Sequence, residues 1–120
     1  GDTGQSLLLC VLLAFSIQLP IYWILKNSFQ RRRPPDAIPC FDSVITAHDK
    51  FSFPSGHTAA ATLLAALVYL HFGAAAAPLM IWAGFVGASR VLLGVHFPTD
   101  ILAGAVLGLT VASLSVSLIG

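Results

Sequence analysis

The sequence predicts an all-α protein of the membrane-spanning kind, a polytopic bundle of four apolar helices forming a single domain over residues 1–120. Three observations predict it. Hydrophobic residues make up 57% of the chain and charged residues only 9%, where a soluble domain carries about 25% charged residues. The mean hydropathy is +0.87. Apolar runs close to bilayer-spanning length recur from one end of the chain to the other. A free water-soluble globule is thereby excluded, as are disordered and collagen-like chains. Six Lys and Arg against five Asp, a net charge of +1, cannot build a broad phosphate-binding face, so no nucleic-acid partner is expected.

The first run, 6–26, can cross a hydrocarbon core of ~30 Å as a helix, with a kink expected where Gln18 and Pro20 interrupt it. Gly1-Asp2-Thr3-Gly4 before it carries no Lys or Arg, so a secretory signal peptide is not expected. A polar connector, 27–54, follows and contains Pro34, Pro35, Pro39 and Pro54. Its His48, Asp49 and Lys50 read as a solvated loop. Cys10 lies early in the first run and Cys40 beyond its far end. At ~1.5 Å per residue they stand ~24 Å or more apart, too far for a disulfide. Cys10 therefore reads as a packing residue and Cys40 as a free loop thiol. Three further spans are expected at 57–76, 78–95 and 99–119, the last with Gly104 and Gly108 on a small-xxx-small face suited to close helix packing. Tyr22, Trp23, Tyr69 and Trp82 are accounted for by interface belts and packing.

Threading these spans through a bilayer puts both termini on one side. Lys26, Arg31, Arg32, Arg33, Asp36, Asp42, His48, Asp49, Lys50, His57, Arg90, His96 and Asp100 fall on the other side, leaving only Asp2 and His71 behind. Charges avoid lipid in any case, but the connection after the second span, His71-Phe72-Gly73-Ala74-Ala75-Ala76-Ala77-Pro78, could have held some and does not. The chain builds one polar site at one membrane surface.

Three clusters meet there. In Pro54-Ser55-Gly56-His57, Ser55 is a good N-cap, the following amides and the helix dipole favour an anion, and Gly56 permits close approach. A capped helix after a turn explains the same residues. His96 and Asp100, four apart, can share a helix face, and a carboxylate on one imidazole nitrogen leaves the other free to attack. A His–Asp pair capping the fourth helix is the competing explanation. Arg90 presents a fork suited to phosphate oxygens, or else snorkels to the interface. Lys26 and Arg31-Arg32-Arg33 also fit a topology signal or a headgroup anchor. Two His, an Asp, a Lys and two Arg suit an oxyanion with a nucleophile beside it.

Together the clusters read Lys26-x6-Arg33-Pro34, Pro54-Ser55-Gly56-His57 and Ser89-Arg90-x5-His96-x3-Asp100. In this order and spacing they resemble the type 2 phosphatidic acid phosphatase superfamily, directly over Lys26 to Asp100 and by architecture beyond. The resemblance implies a membrane phosphatase acting on lipid phosphate monoesters or pyrophosphates of the phosphatidic acid, phosphatidylglycerol phosphate or undecaprenyl pyrophosphate class. It implies His96 as a nucleophile forming a phosphohistidine, Asp100 as its orienting partner, and His57 as the acid for the leaving alkoxide. Lys26, Arg33, Ser55, Gly56 and Arg90 would hold the phosphate, with Ser89 in support. No metal or other cofactor is implied, because cations and amides would stabilise the transferring phosphoryl group. Membrane members of the family usually have six helices with the signature on the last four, so this chain is similar to a catalytic core whose first helices are missing, or to a shortened or homo-oligomeric member.

Three other classes were weighed. Vanadate-dependent haloperoxidases share the anion pocket but are soluble. A non-catalytic anionic-lipid-binding protein leaves His57, His96 and Asp100 unexplained. A metal hydrolase using His48, Asp49, His57, His96 and Asp100 would set its cation among other cations. The expected location is the plasma (inner) membrane, multi-pass. Bacterial relatives place the site at the extracytoplasmic face, although all six Lys and Arg lie on the catalytic side, which the positive-inside rule assigns to the cytoplasm. The phosphate's claim on Lys26, Arg33 and Arg90 makes them poor topology reporters.

Overall fold

The structure is a computed structural model, and it describes residues 2–45 and 51–119. His48, Asp49 and Lys50, expected in a solvated loop, lie outside the described residues. The chain forms α1 (Asp2–Phe29), a single-turn α2 (Pro34–Ala37), α3 (Gly56–Phe72), a 3₁₀ turn (Gly73–Ala76), α4 (Ala77–Leu92) and α5 (Pro98–Ile119). No β-strand occurs among the described residues; Arg32 and Phe51 make one isolated antiparallel bridge.

α1 continues as helix through Pro20. α3 starts where the sequence supplies a cap, Ser55, and stops at Gly73, whose φ of +75° suits a residue without a Cβ. α3 is the central element and packs on α1, α4 and α5. Its two principal seams differ in kind. Against α5 it runs parallel, and the backbones nearly touch: a Cβ at Gly104 would lie 2.6 Å from the Ser55 carbonyl oxygen, and one at Gly108 2.7 Å from that of Ala59. Against α1 it runs antiparallel, from Ser6 beside His71 at one end to Tyr22 beside Gly56 at the other. Cys10, Ala14, Leu63, Ala66, Leu67, Val111 and Ala112 form the buried core between the three helices. Packing of this kind, rather than expulsion of water, drives helix association in lipid. The outward faces keep Leu8, Leu12, Ile24, Phe85, Leu102 and Leu118 exposed, as lipid-facing helices require.

The span count differs from the expectation. Three stretches, not four, are long and apolar enough to cross: Thr3–Phe29, Gly56–Leu92 and Pro98–Ile119. α3 and α4 have 17 and 16 residues, or ~25 Å each at the helical rise, short of a ~30 Å core. The alanine-rich 3₁₀ turn joins them into one apolar run that folds back on itself, with Ala61 and Ala65 packed on Ala83. At that turn His71 is a pin. Its Nδ1 donates to the Leu67 carbonyl at 2.7 Å, so its Nε2 accepts from the Ser6 hydroxyl at 3.2 Å.

The opposite end is closed by the connector. The Ser52 amide donates to the Arg31 carbonyl (2.8 Å), and the Phe29 and Phe53 rings lie 4.6 Å apart. The Val44 amide donates to the Leu93 carbonyl (2.9 Å), where Gly94, at φ +82°, lets Ser43 approach the α4–α5 turn. Cys10 is buried and Cys40 exposed, and both are free thiols.

Candidate active site

The α4–α5 turn brings His96 and the first turn of α5 against the end of the connector. Asp100 is fully buried. One carboxylate oxygen, Oδ2, accepts the Phe97 amide at 2.7 Å, capping the helix; the other, Oδ1, accepts Arg31 Nη1 at 2.8 Å. His96, 3% exposed, lies with Nδ1 3.6 Å from Asp100 Oδ2, an ion-pair separation longer than a hydrogen bond. Its Nε2 is 3.3 Å from Arg33 Nη1. A guanidinium only donates, so in this contact Nε2 is the acceptor and a neutral ring carries its proton on Nδ1, towards Asp100. The assignment follows from the hydrogen-bond chemistry of the partners. Arg33 is fixed in turn by a 2.9 Å bond from Nη1 to the Val95 carbonyl.

His96 also lines a cavity of about 340 Å³. Arg33, Gly56, His57, Arg90 and His96 line its polar end, while Phe15, Leu19, Ala59 and Ala60 continue it between α1 and α3. Two guanidiniums and the start of α3 therefore face one space beside an imidazole nitrogen. Such a space suits a tetrahedral oxyanion carrying an apolar substituent.

Of the residues expected at the site, Arg33, Gly56, His57, Arg90 and His96 meet at this cavity, with Asp100 behind His96. Lys26, Ser55 and Ser89 do not line it. Lys26 is buried and donates from Nζ to the Tyr22 hydroxyl at 3.3 Å, with Nζ 5.3 Å from the Tyr22 ring centroid. It therefore acts on the cavity wall through Tyr22. The Ser55 hydroxyl accepts the Thr58 amide (3.3 Å) and donates to Thr58 Oγ1 (2.9 Å), while its own amide donates to the Asp100 carbonyl (3.0 Å). Ser55 is thus a helix cap and a tie between α3 and α5. The Ser89 hydroxyl is exposed and returns to the Val86 carbonyl of its own helix (2.8 Å).

Two residues at the site were missed in the sequence. Tyr22, assigned to packing, lines the cavity; its i,i+4 spacing to Lys26 was the available signal. Arg31, grouped with Arg32 as a topology or anchor residue, instead grips Asp100 and packs its guanidinium 4.9 Å from the Phe53 ring centroid. Nothing in three consecutive arginines indicates which one turns inward. Among the described residues no group of three or more His, Cys, Asp or Glu is placed to hold a metal ion.

Relatives share this arrangement of helices. The chain is 30% identical to LpxE of Aquifex aeolicus, whose crystal structure superposes with a TM-score of 0.74 over 97% of this chain and 68% of that one. A transmembrane PAP2-type phosphatidylglycerolphosphate phosphatase from Bacillus subtilis matches at 33% identity and a TM-score of 0.68, over 89% of this chain and 56% of its own. In sequence, decaprenylphosphoryl-5-phosphoribose phosphatase of Mycobacterium tuberculosis is 34% identical over 76% of this chain and 49% of its own length. Phosphatidylglycerophosphatase B of Bacillus subtilis is 36% identical over 84% and 52%. The chain spans about half the length of these curated relatives. The family model of the PAP2 superfamily matches residues 5–120, nearly the whole chain, and the solved relatives share its helices: the chain belongs to the PAP2 superfamily.

Proposed function

We propose that this chain is the catalytic part of a membrane phosphatase that hydrolyses lipid phosphate monoesters or pyrophosphates through a phosphohistidine. The observation that carries the reading is the His96 ring, with Nδ1 facing a buried Asp100 and Nε2 facing Arg33 in a cavity shared with Arg90 and His57. Nε2 attacks phosphorus, and the P–N bond forms as the P–O bond to the lipid breaks. His57 gives its proton to the departing alkoxide. A water then attacks the phosphohistidine, His57 takes the water's proton, and inorganic phosphate leaves. Asp100 stabilises the imidazolium form of His96, and Arg33 and Arg90 hold charge on the phosphoryl oxygens throughout.

The substrates that fit are lipid phosphates such as phosphatidic acid, phosphatidylglycerol phosphate and undecaprenyl pyrophosphate, drawn from the bilayer into the apolar end of the cavity. Further helices of a longer protein, or a second copy, would cover the outer face of α1. The reading places the protein in the plasma membrane with the site at the extracytoplasmic face. Cys40, exposed on the connector, reports that face. It should react with an impermeant thiol reagent in intact cells, and protection there would put the site in the cytoplasm.

Leaving groups test the chemistry. With chelator present, the protein should turn over both a lipid phosphate and an activated aryl phosphate. His57→Ala should lose roughly 10²–10⁴-fold on the lipid, whose alkoxide needs a proton, and far less on the aryl ester. His96→Ala should lose at least about 10³-fold on both, because the attacking atom is gone. Rescue of His96→Ala by the aryl substrate would rule out the phosphohistidine.

A further inference from the structure

The cavity holds a polar group that phosphate chemistry does not use. Gln18 lies within α1 at membrane depth, 3% exposed, and lines the cavity one helical turn from Tyr22. Its amide oxygen, Oε1, is buried and has no hydrogen-bond partner. Other polar side chains inside the helical layer are satisfied locally: Ser16 donates to the Leu12 carbonyl (2.7 Å) and Ser115 to that of Val111 (2.8 Å). A buried amide oxygen left without a donor in a lipid environment is costly. A residue of this kind in a membrane helix, facing an internal cavity, marks the path of a ligand.

We infer that Gln18 is a specificity-determining residue that accepts a hydrogen bond from a hydroxyl of the substrate close to its phosphoester. The inference rests on the proposed phosphatase reading and refines its substrate class. Arg33, Arg90 and His96 fix the phosphate at the polar end, and Tyr22, beside Gly56, bounds that end on α1. The Gln18 amide comes one turn, about 6 Å, farther along α1, where the first carbons beyond the phosphoester oxygen would lie. The unsatisfied atom is an acceptor; a turn of the side-chain amide brings it from its buried position into the cavity, where its partner is a donor. Phosphate esters with a free hydroxyl next to the phosphoester, as in phosphatidylglycerol phosphate, lysophospholipid or sugar phosphates, offer an O–H there; phosphatidic acid, acylated at that carbon, and a polyprenyl phosphate do not. A site built around a hydrogen bond discriminates against a substrate that leaves it unmade.

The test compares lysophosphatidic acid with its analogue lacking the sn-2 hydroxyl, and both with a polyprenyl phosphate, on the intact protein and on Gln18→Leu. The unaltered protein should prefer the hydroxylated ester by about tenfold or more in kcat/KM. Gln18→Leu should reduce that preference to within about twofold. A preference that survives in Gln18→Leu, or an unaltered protein that treats the hydroxylated and deoxy esters alike, overturns the inference. The second result needs no variant, so misfolding of Gln18→Leu does not shield the idea. Absence of turnover on all three lipids would instead refute the phosphatase reading itself.

Discussion

α3 has two unlike neighbours. Its seam with α5 is closed so tightly that glycines are required, Gly104 facing the Ser55 carbonyl and Gly108 the Ala59 carbonyl. Its seam with α1 is closed at the far end by Cys10, Ala14, Leu63 and Leu67 but opens near the connector into the cavity. The tight seam positions the candidate residues, since His57 lies in the first turn of α3, Asp100 in that of α5, and the Ser55 amide joins the two through the Asp100 carbonyl. The open seam carries the cavity wall. The contrast teaches that position is set on one side of α3 and room is made on the other, so damage to the two seams should be separable.

The largest effect is expected at the tight seam. Gly104→Val puts a branched side chain where even a Cβ would sit 2.6 Å from backbone oxygen. The helices must separate, at a cost of 3 kcal/mol or more by the scale of overpacked cores (about 1–3 kcal/mol for a mere extra methylene). The variant should lose its sharp elution profile and thermal transition in detergent along with all activity. A folded, active Gly104→Val would show that the seam tolerates opening.

An intermediate effect is expected where the connector grips α5. Arg31→Gln removes a charge-assisted bond worth about 1.5–3 kcal/mol and leaves Asp100 buried beside His96 with less support. Turnover should fall roughly 10–100-fold while KM for lipid changes little, since Arg31 does not line the cavity with Arg33 and Arg90. A change confined to KM would make Arg31 a substrate contact instead. The smallest effect is expected at Gly84, whose Cβ would meet nothing within 4 Å. Gly84→Ala should leave activity unchanged and raise helix stability by about 0.5–1 kcal/mol. Destabilisation there would mean that the cleft Gly84 shares with Thr62, Ile101 and Leu109 closes more tightly around it.

Much of this was readable because helix starts are readable. Ser55 as a cap follows from side-chain chemistry, and spacing alone gathers Arg33, His57, Arg90 and His96 at one end of a bundle. The end of α3 at Gly73 was not readable, since the expected span ran on to residue 76. The Gly104–Gly108 pair likewise announces a close contact. The failures have equally local causes. A serine before a helix can cap it or bind an anion, and the sequence cannot say that Thr58 occupies the Ser55 hydroxyl. Arg31 and Arg32 diverge through the backbone bridge of Arg32 with Phe51, a pairing between segments far apart in sequence. The second and third spans merge because hydropathy runs without a break through Gly73–Ala76, where only a change of helical geometry marks the turn.

The alternating helix directions have an electrical consequence. At the site, α1 and α4 present their C-terminal ends, which carry partial negative charge, and those ends bear Lys26 and Arg90 in the last turn. α3 and α5 present their positive ends. α5 carries the Asp100 carboxylate in its first turn, and no acid stands in the first turn of α3, whose amides face the cavity. Lys26, Arg90 and Asp100 thus each rest on a backbone dipole of opposite sign. Such countercharge is built from peptide units, cannot be titrated and adds nothing polar to the lipid-facing surface. A chain with only 9% charged residues can in this way keep a cluster of like-charged guanidiniums together at the edge of a bilayer. Reversing the sign at Lys26 or Arg90 would set the new carboxylate against the negative end of its own helix.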